Sequence, residues 1–257
     1  MPSDTPSVRK RHSMISGTAV VFRREIAAYF DSPIAYVYAA VFLALSCGVF
    51  MNDFFLLALV DMSAYFRLLP LVLVLFIPAV TMRSWAEEHA RGTFELVSAL
   101  PLRLSALVSG KFLAALSFFT IVLAGSVPLV IMLSWLGAPV IGVIASSYLG
   151  SVCLGAFFLA FGCFISGLTR EQIVAYVLTT FGCALFVLTG HEAVVDVLDG
   201  LSVHLQIGTR LYETVSVMPH FESFCRGIIG LNDLLYFSVM TAFFLLMNDM
   251  TLRLSKY

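Results

Sequence analysis

The sequence predicts an all-α, polytopic membrane protein with six transmembrane helices and both termini in the cytoplasm. Three observations lead there. The 257 residues are 60% hydrophobic and 12% charged, with a mean hydropathy of +0.96, against roughly 45–50% apolar and about 25% charged in soluble proteins. Six apolar runs approach the roughly 20 residues that cross a bilayer core. Of the 15 Lys and Arg, only Arg67, Arg210 and Arg226 fall in segments that would lie outside, and these residues collect on the cytoplasmic side of membranes. A soluble enzyme and a disordered chain are thereby excluded, and a net charge of −1 offers no basic field to nucleic acid.

Residues 1–17 read as a flexible cytoplasmic tail. From Thr18 to Phe30, Val20, Val21, Phe22, Ile26 and Tyr29 are interleaved with Arg23, Arg24 and Glu25. That is the pattern of an amphipathic helix in the inner interface, stopped by Asp31-Ser32-Pro33. Pro33 opens the first span, Ile34 to Met51, because proline is tolerated at the first helical position. The second span, Leu68 to Met82, is short and carries Pro70 and Pro78. The third, Phe112 to Trp135, is interrupted at Pro128, and the fourth runs from Ser147 to Leu168. The link Thr169-Arg170-Glu171 leads into the fifth, Ile173 to Thr189, and the sixth is Leu234 to Met247.

The usual catalytic signatures are missing. His191-Glu192 starts like H-E-x-x-H, but Val195 stands where the second zinc ligand must fall. There is no nucleophile elbow, phosphate loop or dinucleotide fingerprint, so no catalytic, metal or cofactor site is expected. The five Cys contain no C-x-x-C pair; Cys47, Cys153, Cys163 and Cys183 read as buried hydrophobes and Cys225 as the candidate for exposure. Arg67, Asp233 and Asp249 sit at span ends, where snorkelling explains them. No carboxylate relay of the kind a proton-driven transporter needs is visible. Along the fourth span, Ser147, Ser151, Gly155, Gly162 and Ser166 form a stripe of small residues, suited to close helix packing within the chain or at a homodimer seam.

Two segments are richer than connectors. The inner loop from Arg83 to Lys111 places Trp85 at the interface, with Glu87, Glu88 and Glu95 beside Arg83, Arg91 and Arg103. Glu87 and Arg91 pair at i, i+4 on a helix, and Phe94, Leu96, Val97 and Leu100 add an apolar face. Such a loop suits docking on a soluble partner. The outer segment from Gly208 to Asp233 is too charged to span yet carries Phe221, Phe224, Ile228 and Ile229, as short helices dipping into the outer leaflet do. His220, within it, reads as a structural hydrogen-bonding group.

These segments, FRREIAAYFDSP, RSWAEEHARGTFELVSALPLRLSALVSGKF and MPHFESFCRGIIGLNDLLYF, resemble the permease subunits of ABC-2 type exporters, and within them the gliding-motility GldF-like branch. The likeness spans residues 18 to 250 and is strongest in WAEE-x-x-RGTFEL. His89-Ala90 departs from the more basic pair expected there. The resemblance implies a multi-pass protein of the bacterial inner membrane that dimerises, with itself or with a second permease subunit. It also implies separate ABC ATPase subunits that hold the ATP and Mg and perform the hydrolysis.

By the same resemblance, Thr18 to Phe30 matches an interfacial connecting helix. Glu87, Glu88, Arg91, Gly92, Thr93, Phe94 and Glu95 match a coupling helix that enters a groove on the ATPase. The outer segment, with His220, Phe221, Glu222, Phe224 and Arg226, matches the re-entrant helices that gate the exit. Pro70, Pro78, Thr179 and Thr180 are expected to line a cavity at the dimer seam. The near absence of charge within the spans favours a lipid-like or amphipathic substrate. The same coupling would equally serve a mechanical transducer or membrane anchor acting on a periplasmic-domain partner without cargo.

Overall fold

The computed structural model describes residues 6–57, 61–90, 92, 104–137, 139–201, 212 and 216–254; for residues 6–16 and a few other helical positions it describes the backbone alone. All regular structure in these residues is α-helical. Helix α1, Pro6–Asp31, runs back well beyond the expected start at Thr18. It ends where expected, at Ser32, and α2 follows as Pro33–Leu57. Helix α3, Ser63–Thr81, precedes a short α4, Ala86–Ala90. Then come α5, Leu104–Ala124, α6, Val127–Leu136, and α7, Ile141–Leu168. Helix α8 is Gln172–Leu188, α9 is Glu192–Leu201, α10 is Met218–Cys225 and α11 is Leu231–Leu254.

The architecture is that of a multi-pass helical membrane protein. Five helical stretches are long and apolar enough to cross a bilayer: Pro33–Leu56, Ser63–Ala90, Leu104–Leu136, Ile141–Leu168 and Leu231–Leu254. The remaining expected span, the fifth, is α8, with 17 residues, about 26 Å at 1.5 Å per residue. Most helices overrun the apolar runs that announced them, because polar residues at a helix end keep the same backbone hydrogen bonds. Lys111, expected in the loop, therefore lies inside α5, a full two turns past its start at Leu104. The third span breaks at Gly125-Ser126 rather than at Pro128, which sits in the first turn of α6 where its missing N–H costs nothing. Ser126 stabilises the break: its hydroxyl bonds Leu123 O at 2.7 Å and Tyr148 Oη at 2.7 Å.

Helix α7 is the hub, packed against α3, α5, α8, α10 and α11. Its small residues make this possible, because a Cβ at Gly155 would enter the Phe119 ring and one at Gly162 would strike the Thr81 side chain. The small-residue stripe is thus used in packing within the chain. Large side chains fill the rest: Phe157 and Phe161 meet Phe244 of α11 at ring-centroid distances of 5.8 and 5.1 Å, and Phe157 meets Phe186 of α8 at 5.0 Å. Helix α8 buries Ala175, Thr179, Cys183 and Val187, every fourth residue, against this core, and turns Ile173, Val177 and Phe181 outward. Large apolar side chains exposed in this way also run along α2 and α11, and only lipid or another apolar surface covers such faces favourably. The bundle has two distinct ends, one built around α4 and the other around α10.

Candidate functional site

At the α4 end, the chain leaves α3 through Met82 to Trp85 and enters α4 under the control of one hydroxyl. Ser166 of α7 accepts hydrogen bonds from the Trp85 and Ala86 backbone N–H groups, both at 3.1 Å, and donates to Met82 O at 3.3 Å. The first N–H groups of a helix have no partner within it; here a neighbouring helix supplies the cap. Trp85 and Ala86 are fully buried. After Ala90, Gly92 has φ 66° and its N–H reaches His89 O at 3.3 Å, a left-handed exit that favours glycine.

Lys111 reaches into this junction from α5. Its side chain is 6% exposed, and Nζ donates to Ser84 O at 2.6 Å and to Glu88 Oε1 at 2.7 Å. Glu25 Oε1 of α1 stands 3.9 Å away, and the ammonium lies 4.6 Å from the Trp85 ring centroid. Arg24 adds contacts to Glu25 at 3.0 Å and to Glu88 at 3.7 Å. Two cations and two carboxylates from α1, α4 and α5 therefore close one another's charge, as a buried ion requires. Helix α1 can lie this close because of Gly110: a Cβ there would sit 2.7 Å from Val21 Cβ and 3.2 Å from Thr18 O. Val21, Trp85, Leu107, Val108 and Leu252 form a separate apolar cluster beneath the charges.

The expected coupling residues are thus distributed. Glu88 faces inward to Lys111, with its side chain 14% exposed. Glu87 lines a cleft of about 310 Å³ together with Glu25, Tyr29, Ser32, Arg83 and Ser84. Gly92 ends the helix; Arg91, Thr93, Phe94 and Glu95 lie outside the described residues. Of the expected cavity residues, Pro70, Pro78 and Thr179 are buried in the chain's own packing and Thr180 is half-buried.

At the other end, α10 lies across the start of α7. The Ser146 hydroxyl donates to Phe224 O at 2.8 Å, and Gly150 leaves the space that the Phe224 side chain fills. Gly227, at φ 83°, turns the chain away from α10. Phe221 and Phe224 point into the core. His220 shares a 2.7 Å hydrogen bond between Nδ1 and Asp233 Oδ1 and stacks on Tyr236 with ring centroids 4.1 Å apart. Asp233, expected to snorkel, is therefore engaged with α10. Glu222 and Arg226 remain exposed and pair at 3.1 Å. Cys225 is half-buried rather than exposed; burial pushes its thiol up to about 11, with a small opposing effect from Ser147 and a small added one from Glu222.

No protein-family model matches the chain, and no curated protein matches it. Sequence reasoning passed over Arg24, Glu25, Ser84, Lys111 and Ser166 as site residues. One signal was present: a lysine directly followed by the apolar run Phe112 to Leu116 needs a carboxylate within reach.

Proposed function

We propose that the chain is the membrane subunit of an ATP-driven exporter of the ABC-2 type, close to the GldF-like branch, resident in a bacterial inner membrane with six spans and cytoplasmic termini. In this reading α8 is the fifth span, short enough to require local thinning of the bilayer or cover by a second subunit. The separate ATPase subunits hold ATP and Mg and carry out hydrolysis.

The observation that carries the proposal is the way α4 is tied down. A helix that merely connects two spans needs no buried ion pairs. This one is capped by Ser166 of α7, bonded to Lys111 of α5 and linked by the same charges to Arg24 and Glu25 of α1. In this reading a displacement applied to the Glu87 edge of α4 is passed to the three helices to which these contacts tie it. Rigid elements that move together are what domain rocking uses. The α4 junction then serves as the input, with α3, α5 and α7 carrying the motion toward α10 at the far end.

The test is purification of the tagged chain in mild detergent from its native cells, identification of what accompanies it, and measurement of ATP hydrolysis. A stoichiometric ATPase whose turnover depends on this chain supports the reading. A clean, inactive protein across several detergents removes it.

A further inference from the structure

We propose that the cleft at the α10 end binds a phosphate-bearing amphipath, with the phosphate on Arg67 and the apolar chain against Met62, Phe66, Ile144 and Phe221. The cleft has a volume of about 410 Å³ and lies between the start of α3, the start of α7 and the length of α10. That is within the range of small-molecule sites, which combine apolar walls with a few placed polar groups. Its floor is apolar: Met62, Phe66, Ile144 and Phe221 are 1%, 2%, 6% and 1% exposed.

The charges on its rim are unequally occupied. Arg226 is engaged by Glu222 at 3.1 Å, and Asp61 Oδ1 accepts the Ser63 N–H at 3.2 Å. Arg67 is exposed and has no ion-pair partner among the described residues. One uncommitted guanidinium thus stands at the mouth of an apolar floor, and guanidinium matches phosphate through paired, charge-assisted hydrogen bonds. Cys225, also lining the cleft, stays a neutral thiol because burial raises it, so it adds no competing anion.

The same helix shows why the ligand carries a chain. Leu71 and Leu75 follow Arg67 at four-residue intervals, the spacing that places side chains on one face. They are 55% and 56% exposed. They line a separate apolar groove with Val41, Leu45 and Val49 of α2, so a diacyl ligand with its phosphate on Arg67 lays one chain on the cleft floor and the other along α3. A soluble phosphate ester would leave that groove unused. The inference needs only that the chain crosses a membrane; it does not depend on an ATPase.

The test uses the full chain in maltoside micelles, where no other phosphate lipid is present. Two photoactivatable probes carry the same acyl chains: a phosphatidylglycerol and a diacylglycerol. The expected result is phosphatidylglycerol labelling of peptides containing Met62 to Leu71 and Val143 to Ser147. Arg67→Gln reduces it at least fivefold, and diacylglycerol labels the parent no better than phosphatidylglycerol labels that variant. Ile144→Trp, which fills the floor and keeps Arg67, lowers labelling as well; Arg67→Gln touches no packed group, so its loss of labelling is read with an unchanged melting temperature. Excess glycerol phosphate leaves labelling in place. Equal labelling of Arg67→Gln and parent, equal labelling by the two probes, or displacement by glycerol phosphate each overturns the proposal.

Discussion

Replacing Glu88 by Gln removes the carboxylate that meets Lys111 at 2.7 Å while keeping the shape of the side chain. Stripping one partner from a buried ion pair costs about 3–5 kcal/mol when the remaining charge is left uncompensated. Lys111 is not left so. It keeps Ser84 O at 2.6 Å, the Trp85 ring face and Glu25 at 3.9 Å. The loss therefore falls toward the value of one hydrogen bond to a charged group, about 1.5–3 kcal/mol. The contact between Glu88 and Arg24 adds little, because the Arg24 side chain is 59% exposed. A destabilisation of about 2 kcal/mol corresponds to a melting temperature lower by about 4–8 °C for a chain of this size.

The assay is thermal unfolding in mild detergent, followed by a thiol-reactive fluorophore. Cys163 is 2% exposed and its Sγ lies 3.8 Å from Ser84 Oγ, so it reports directly on this junction. Lys111→Met on its own takes from Glu88 its 2.7 Å cationic partner, and the double variant removes both charges. The double variant is expected to lose at least about 1 kcal/mol less than the sum of the single losses, beyond the roughly 0.5 kcal/mol scatter of independent sites. Additive losses, or a Glu88→Gln variant that melts with the parent, would refute the pairing.

Ser166→Ala leaves two buried N–H groups without their acceptor and is expected to cost about 1–2 kcal/mol, read by the same melt. Gly110→Ala forces α1 away from α5 and costs about 1–3 kcal/mol, of which Val21→Ala restores part by removing the side chain in conflict; failure of that rescue would place α1 elsewhere. Glu87→Lys and Glu88→Lys separate partner contact from internal structure. The first lowers ATPase dependence on the chain with the smaller fall in melting temperature, and the second, which opposes Lys111, with the larger; equal effects on stability would contradict the geometry. A Cys at position 255 stays unreacted with an impermeant thiol reagent added to intact cells, as a cytoplasmic terminus requires.

The boundaries most legible in the sequence were those set by local chemistry. The stop at Asp31-Ser32-Pro33 appears where proline and polar residues end an amphipathic run. The fourth span was placed correctly at its C-terminal end, Leu168, because a charged link follows at once. Its start, expected at Ser147, lies further back at Ile141, and Ser146 in that added stretch bonds Val143 O and Phe224 O. The candidate site was visible in part: α4, Ala86–Ala90, falls inside the Arg83 to Lys111 loop that was singled out. The contact between Glu88 and Lys111 was not legible, because nothing local in the sequence says which side of so short a helix is covered.

By itself, the sequence determined that this protein enters a membrane, which apolar runs form its long helices and which segments are too polar to follow. Those properties are sums over neighbouring residues: the transfer of each side chain from water, and the backbone hydrogen bonds that a bilayer demands be made within a helix. Only the tertiary structure decided which polar groups meet. Lys111 finds Glu88 across 23 residues, and Ser166 caps Trp85 across 81. Such pairs depend on how closely helices approach and how they are rotated. That is set by the whole packed bundle, through glycines such as Gly110 and Gly162 and the side chains that fill the space they leave.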